Sequence, residues 1–151
     1  MSTFQNDLDE GLAIEEQIRL LIEDKTGFMC HRAPSGVFKG YDLRLDLRSV
    51  KDSPYFERRY EVKKDRLAER TKNVAIELTH KGNPSGIVAS TADYWVIVVQ
   101  KAAYFIEVTT LRFEVFCGTY PRVQGGDQMQ SIIVLIPLTR LKELARSVCY
   151  L

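Results

Sequence analysis

Six consecutive apolar residues, Tyr94-Trp95-Val96-Ile97-Val98-Val99, constrain this chain most. A run this short and this rich in β-branched and aromatic side chains reads as a strand, and a strand without a polar side is buried on both faces. It therefore belongs at the centre of a sheet. Ala103 to Val108 follows as its hairpin partner, and Ile132 to Ile136 is a further buried strand. With 151 residues, 45% of them hydrophobic and 10% aromatic, the chain is expected to form one domain (1-151) around a well-buried core.

Three other segments alternate, and alternation decides which side chains share a face. In Tyr41 to Leu47, Leu43, Leu45 and Leu47 lie opposite Asp42, Arg44 and Asp46. In Arg59 to Lys63, Tyr60 and Val62 lie opposite Glu61 and Lys63. In Asn73 to Thr79, Val74, Ile76 and Leu78 face inward, and Glu77 faces the other way. Three successive strands are thus expected to offer Asp42, Glu61 with Lys63, and Glu77 to one polar surface. Asp46 and Asp65 are expected to be surface partners of Arg44 and of Lys63 or Lys64.

Helical spacing predicts a first helix from about Asp7 to Lys25, capped by Asn6 or Asp7 and stopped by Gly27. Leu8, Leu12, Ile18, Leu21 and Ile22 form its expected buried stripe. Glu15 falls within or at the edge of that stripe, whereas Glu16 points away. The chain should then turn through Ala33-Pro34-Ser35-Gly36, loop at Lys51 to Tyr55, and turn again at His80 to Gly86. A short helix is expected over Thr109 to Phe116 and a long loop over Gly118 to Gln130. Pro137 leads into a closing helix through Leu138, Leu141, Leu144, Ala145 and Val148. This order of elements indicates an α/β (α+β) fold with a mixed central sheet flanked by helices.

A net charge of +1 points to no acidic or basic class by itself. Any polyanion must therefore be met by local patches such as Arg58-Arg59 and Lys63-Lys64-Asp65-Arg66. No segment approaches the roughly 18 uninterrupted apolar residues of a membrane span, and no basic stretch precedes an apolar run at the start. The expectation is a soluble, intracellular, cytoplasmic protein. Three scattered cysteines, Cys30, Cys117 and Cys149, support neither a disulfide framework nor a zinc knuckle.

Asp42, Glu61 and Lys63 on adjoining strands have a recognisable chemistry. Two hard carboxylates suit Mg²⁺ or Mn²⁺, which take oxygen ligands and retain water. A cation held there lowers the pKa of a bound water and neutralises a scissile phosphate. The lysine can orient the attacking water or stabilise a pentavalent phosphorane. Glu-x-Lys alone carries little weight, because Glu23-Asp24-Lys25 repeats it at a helix end, where i and i+2 do not share a face. Strand context distinguishes Glu61-Val62-Lys63. With two histidines in the chain and no third nitrogen or sulfur ligand near His80, zinc is not indicated.

With these residues in place, the chain resembles the PD-(D/E)XK nuclease superfamily. Asp42 matches the first acid, Glu61 the second and Lys63 the lysine, with Tyr41 standing where the first motif often has proline. Glu10-Gly11-Leu12-Ala13-Ile14-Glu15 resembles the Gly-x-x-x-Glu helix of archaeal Holliday junction resolvases, which makes Glu15 the match to their helical acid. Thr71 to Glu77, Gly82 to Ile87 and Thr91 to Trp95 resemble small phage-borne members. The resemblance implies a restriction-endonuclease-like fold, an N-terminal helix, a site at one edge of a mixed sheet, and Mg²⁺-dependent phosphodiester hydrolysis. Asp42, Glu61, Glu77 and Glu15 would then serve the metal, and Lys63 the reaction. Lys81, Ser85 and Thr91, with Arg59 and Lys64, would hold a phosphate backbone. DNA is the expected substrate, with RNA open, and cutting two strands would call for a homodimer. A nucleic-acid-binding or interaction module with an idle site is the alternative reading.

Overall fold

The computed structural model describes residues 3–34 and 40–151. In chain order they form helix α1 (Thr3–Thr26), strands β1 (Cys30–Arg32), β2 (Leu43–Asp46) and β3 (Glu57–Lys64), and helix α2 (Ala68–Thr71). Strand β4 (Asn73–His80), β5 (Asn83–Pro84), α3 (Gly86–Ala89), β6 (Tyr94–Val99), β7 (Ala102–Glu107) and α4 (Val108–Cys117) follow. The chain closes with β8 (Arg122–Gly125), a 3₁₀ turn at Asp127–Met129, β9 (Ser131–Pro137), α5 (Leu138–Leu144) and β10 (Ser147–Tyr150).

The apolar run becomes β6, inside a six-stranded mixed sheet of order β1-β2-β3-β6-β7-β10. β3 and β6 run parallel and the other pairs in this sheet antiparallel. Because β6 projects apolar side chains both ways, both faces must be covered. Val96 and Val98 pack with Leu43, Leu45, Tyr60 and Val62 against Ile14, Ile18 and Ile22 of α1. Trp95, Ile97 and Val99 pack the other way, onto Val74, Ile76, Val134 and Ile136 with Leu111 of α4 and Leu141 of α5.

That second cover is itself a sheet, β5-β4-β9-β8, all antiparallel. A parallel pair cannot be joined by a tight turn, so the chain must leave the sheet between β3 and β6. It uses this excursion to build α2, β4, β5 and α3. Glu77, expected on the same sheet as Glu61, therefore stands on the opposing layer.

Other expectations need correction. Helix α1 starts at Thr3, and its buried stripe is Ile14, Ile18 and Ile22, whereas Leu8 and Leu12 are 49% and 42% exposed. Its first turns are tied down by ion pairs instead of apolar packing: Glu10 meets Lys64 and Arg66, and Asp7 meets Arg66 at 2.7 Å. The closing helix stops at Leu144 rather than passing Val148, because Ser147–Tyr150 pairs with the free edge of β7, Cys149 opposite Ala103. Likewise β8 within the expected loop satisfies the edge of β9, Val123 opposite Ile133. Of the turn expected at Ala33 to Gly36, Ser35 and Gly36 lie outside the described residues. Among the described residues, no helix is long and apolar enough to cross a membrane.

Candidate active site

Asp42 lies just ahead of β2, where strand pairing hands over to a side chain. Leu43 pairs with Tyr60, so one step back in the antiparallel register brings Asp42 beside Glu61. The Asp42 N–H donates to the Tyr60 carbonyl at 2.8 Å, and its carboxylate Oδ2 accepts the N–H of Val62 at 2.8 Å. That N–H would otherwise be orphaned where the backbone ladder of β2 ends. Asp42 is consequently buried, at 9% exposure, and held in one orientation.

Parallel pairing with β6 sets Glu61 beside Trp95 and Lys63 beside Ile97. Alternation then sends Glu61, Lys63, Trp95 and Ile97 to the face that looks toward the second sheet. The Lys63 ammonium is 3.0 Å from Glu61 Oε1 and 5.7 Å from the centroid of the Trp95 ring. Burial opposes its charge, but the carboxylates of Glu61, then Asp42 and Glu77, outweigh burial and hold the lysine above its ordinary pKa. One cation thus answers to three acids from two sheets.

Glu77 reaches this group from β4. Its Oε1 accepts from the Ser85 hydroxyl at 2.5 Å and its Oε2 from the Ser131 hydroxyl at 2.8 Å. The turn carrying Ser85 presses close because its next residue is Gly86, at φ +51°, where a β-carbon would collide with the Glu77 carbonyl. Between the two layers opens a cleft of about 740 Å³, with Glu61, Lys63, Glu77 and Ser85 among its walls and Trp95 and Ile97 behind them. Asp7, Glu10 and Gly11 of α1 and Lys64 and Arg66 border it as well.

Of the expected substrate-side residues, Lys64 and Ser85 reach the cleft, whereas Arg59, Lys81 and Thr91 are not among its lining. Arg59 pairs with Glu57 at 2.6 Å and stacks over Tyr41 at 4.7 Å. Glu15 is 3.7 Å from Arg32, and the α1 acids that line the cleft are Asp7 and Glu10. Asp46 pairs with Arg48 at 2.5 Å, while Arg44 turns to Glu57 at 3.3 Å. Asp65 accepts the N–H groups of Leu67 and Ala68 and so caps α2. Arg66 and Ser131 are additions to the site. Arg66 belongs to a visible basic cluster, but Ser131 merely precedes an apolar strand and carries no local signal.

Among the described residues, no three acid, histidine or cysteine side chains converge tightly enough to hold a metal ion by themselves. What the arrangement does supply is two acids adjacent in the strand register, a charged lysine, a third fixed carboxylate opposite, and basic side chains at the rim. Comparison with known proteins finds no matching family model, curated protein or solved structure.

Proposed function

We propose that this chain is a metal-dependent nuclease of restriction-endonuclease-like fold, an endonuclease that hydrolyses phosphodiester bonds of DNA, with branched or junction DNA as its structure-specific substrate. One observation carries the reading: Asp42 and Glu61 stand side by side in the strand register, with Lys63 held charged by them and by Glu77. A solvated surface pair needs none of this, since exposed ion pairs contribute little and do not require a buried acid.

The donor set is made of hard oxygens, which suits Mg²⁺ or Mn²⁺, and Mg²⁺ commonly uses one or two protein carboxylates with water and substrate phosphate completing its shell. Asp42 and Glu61 would hold it, with Glu77 as an outer carboxylate from the opposite layer. When bound, the ion supplies an activated water and neutralises charge on the phosphate. Lys63 orients the attacking water or stabilises the negative charge of the phosphorane. Lys64 and Arg66 grip flanking phosphates once Glu10 and Asp7 release the two cations. Cutting both strands from so small a domain takes a two-fold dimer. The three free thiols fit the reducing cytoplasm as its place of work.

The test is nicking of supercoiled plasmid and of four-way junction DNA by purified protein. Cleavage is expected with Mg²⁺ or Mn²⁺, none in EDTA, and none from Asp42→Asn. Cleavage that persists in excess chelator, or in that variant, would defeat the proposal. The second reading is a nucleic-acid-binding module with an idle site. Tight DNA binding without cleavage under every divalent ion would establish it.

A further inference from the structure

Strand β4 carries one residue more than β9 across from it: Glu77 pairs with Ile133, whereas Thr79 already pairs with Ile132. On a regular strand, side chains three apart point to opposite faces. The extra residue at Leu78 changes the phase, so Glu77 and His80 both turn to the same partner, Ser131 of β9. The Ser131 hydroxyl is 2.8 Å from Glu77 Oε2 and 2.9 Å from His80 Nδ1, and Ser131 is 1% exposed. Bulges recur beside active sites because they re-aim a side chain in this way.

The protons can be assigned by counting. The Ser131 hydroxyl donates its single proton to Glu77 Oε2. Ser131 must then accept from His80, which places a proton on Nδ1. The chain runs Nδ1–H to Oγ–H to Oε2, while Ser85 donates to the other carboxylate oxygen. Both Glu77 oxygens are held, and each keeps acceptor capacity toward the cleft.

We propose that Ser131 and His80 are positioning residues that fix the Glu77 carboxylate at the cleft, so that it meets a hydrated cation or the attacking water in one orientation. The catalytic part of this rests on the nuclease reading, whereas the fixed orientation does not. Neither Ser131 nor His80 is among the residues that line the cleft, so both act through Glu77.

Two measurements on the full chain test it. By NMR, the His80 ring should carry its proton on Nδ1, and Glu77 side-chain couplings should report one rotamer in the wild type and averaging in Ser131→Ala. A bare Nδ1, or an unchanged Glu77 rotamer in that variant, would overturn the proposal. In cleavage assays, Ser131→Ala and His80→Ala should each lower kcat about 10–100-fold, the usual effect of losing a partner behind a functional ligand. Neither should add to the loss in Glu77→Gln. His80→Asn, which can present an N–H from a similar place, should recover most of the rate. A fall in Tm with kcat intact would mark the chain as a plain tie between β4 and β9 and sink the positioning role. Wild type that cleaves nothing while the Nδ1 proton and single rotamer are present would remove the nuclease reading and leave the fixed carboxylate standing.

Discussion

The two faces of the six-stranded sheet are built from the same strands and do opposite work. The face under α1 is apolar along its length, from Leu43 and Leu45 through Tyr60 and Val62 to Val96 and Val98, and Ile14, Ile18 and Ile22 close it. The face under the second sheet is apolar at Trp95 and Ile97 but turns ionic one strand away, at Glu61 and Lys63, and beside them at Asp42. Val62 and Glu61 are neighbours in sequence and belong to different faces. Under the proposed nuclease function, stability on one face separates from chemistry on the other, and substitutions should sort accordingly.

The largest expected effect is on the ionic face. Asp42→Asn keeps an oxygen to accept the Val62 N–H, so unfolding free energy should change by at most about 1 kcal/mol. Cleavage should nevertheless fall about 1,000-fold or more, on the scale of removing a charge-stabilising group from a reaction site. A large drop in Tm would make Asp42 a structural carboxylate and dissolve the contrast. On the apolar face, Ile18→Ala should cost about 2–5 kcal/mol of stability in denaturant titrations, with kcat unchanged in native buffer. Loss of activity without loss of stability there would contradict the separation.

Lys63→Ala should reduce kcat about 100-fold with little change in KM, as for a group that acts mainly on the transition state. A change confined to KM would reassign it to phosphate binding. Helix α1 sharpens the comparison within one element, since its later turns are packed and its first turns are clasped by ions. Glu10→Gln should leave Tm within a degree or two and lower KM for DNA a few-fold at low salt by freeing Lys64 and Arg66, with the difference vanishing at high salt. An unaltered KM at low salt would mean that the clasp does not compete with substrate.

The smallest effect concerns Glu16, whose carboxyl is held down at about 2 by hydrogen bonds from Arg19 and then Arg32, against a modest opposing burial. A carboxyl with a depressed folded pKa contributes stability that is present above its unfolded value and lost as pH falls toward the folded one. The Tm difference between wild type and Glu16→Gln should therefore be small at pH 6 and disappear between about pH 4.5 and 2. A difference that persists at pH 2 would reject the ion-pair account.

Much of this was legible in the chain. The unbroken Tyr94 to Val99 run announced a strand covered on both sides, and alternation placed Asp42 on the polar side of its strand and Glu61 with Lys63 on the polar side of theirs. Glu15 was legible as an acid on or at the edge of an apolar stripe and Glu77 as the polar side of an alternating strand, but not which layer Glu77 would occupy. The amphipathic reading of α1 erred at Leu8 and Leu12, because spacing tells which residues share a side and not how far the surface beneath them extends. Val148 looked helical for the same reason, and an open edge on β7 drew it into a strand.

Which side of each local segment is apolar follows from the order of residues alone, since periodicity is a matter of backbone geometry within a few residues. Which layer each segment joins was settled by long-range pairing. The parallel β3–β6 pair forces the intervening chain out of the sheet, and that excursion carries Glu77 across to face Lys63 from the opposite side. The bulge that turns His80 and Glu77 toward Ser131 was equally beyond local reading, because it exists as a mismatch between β4 and β9 and in neither strand alone.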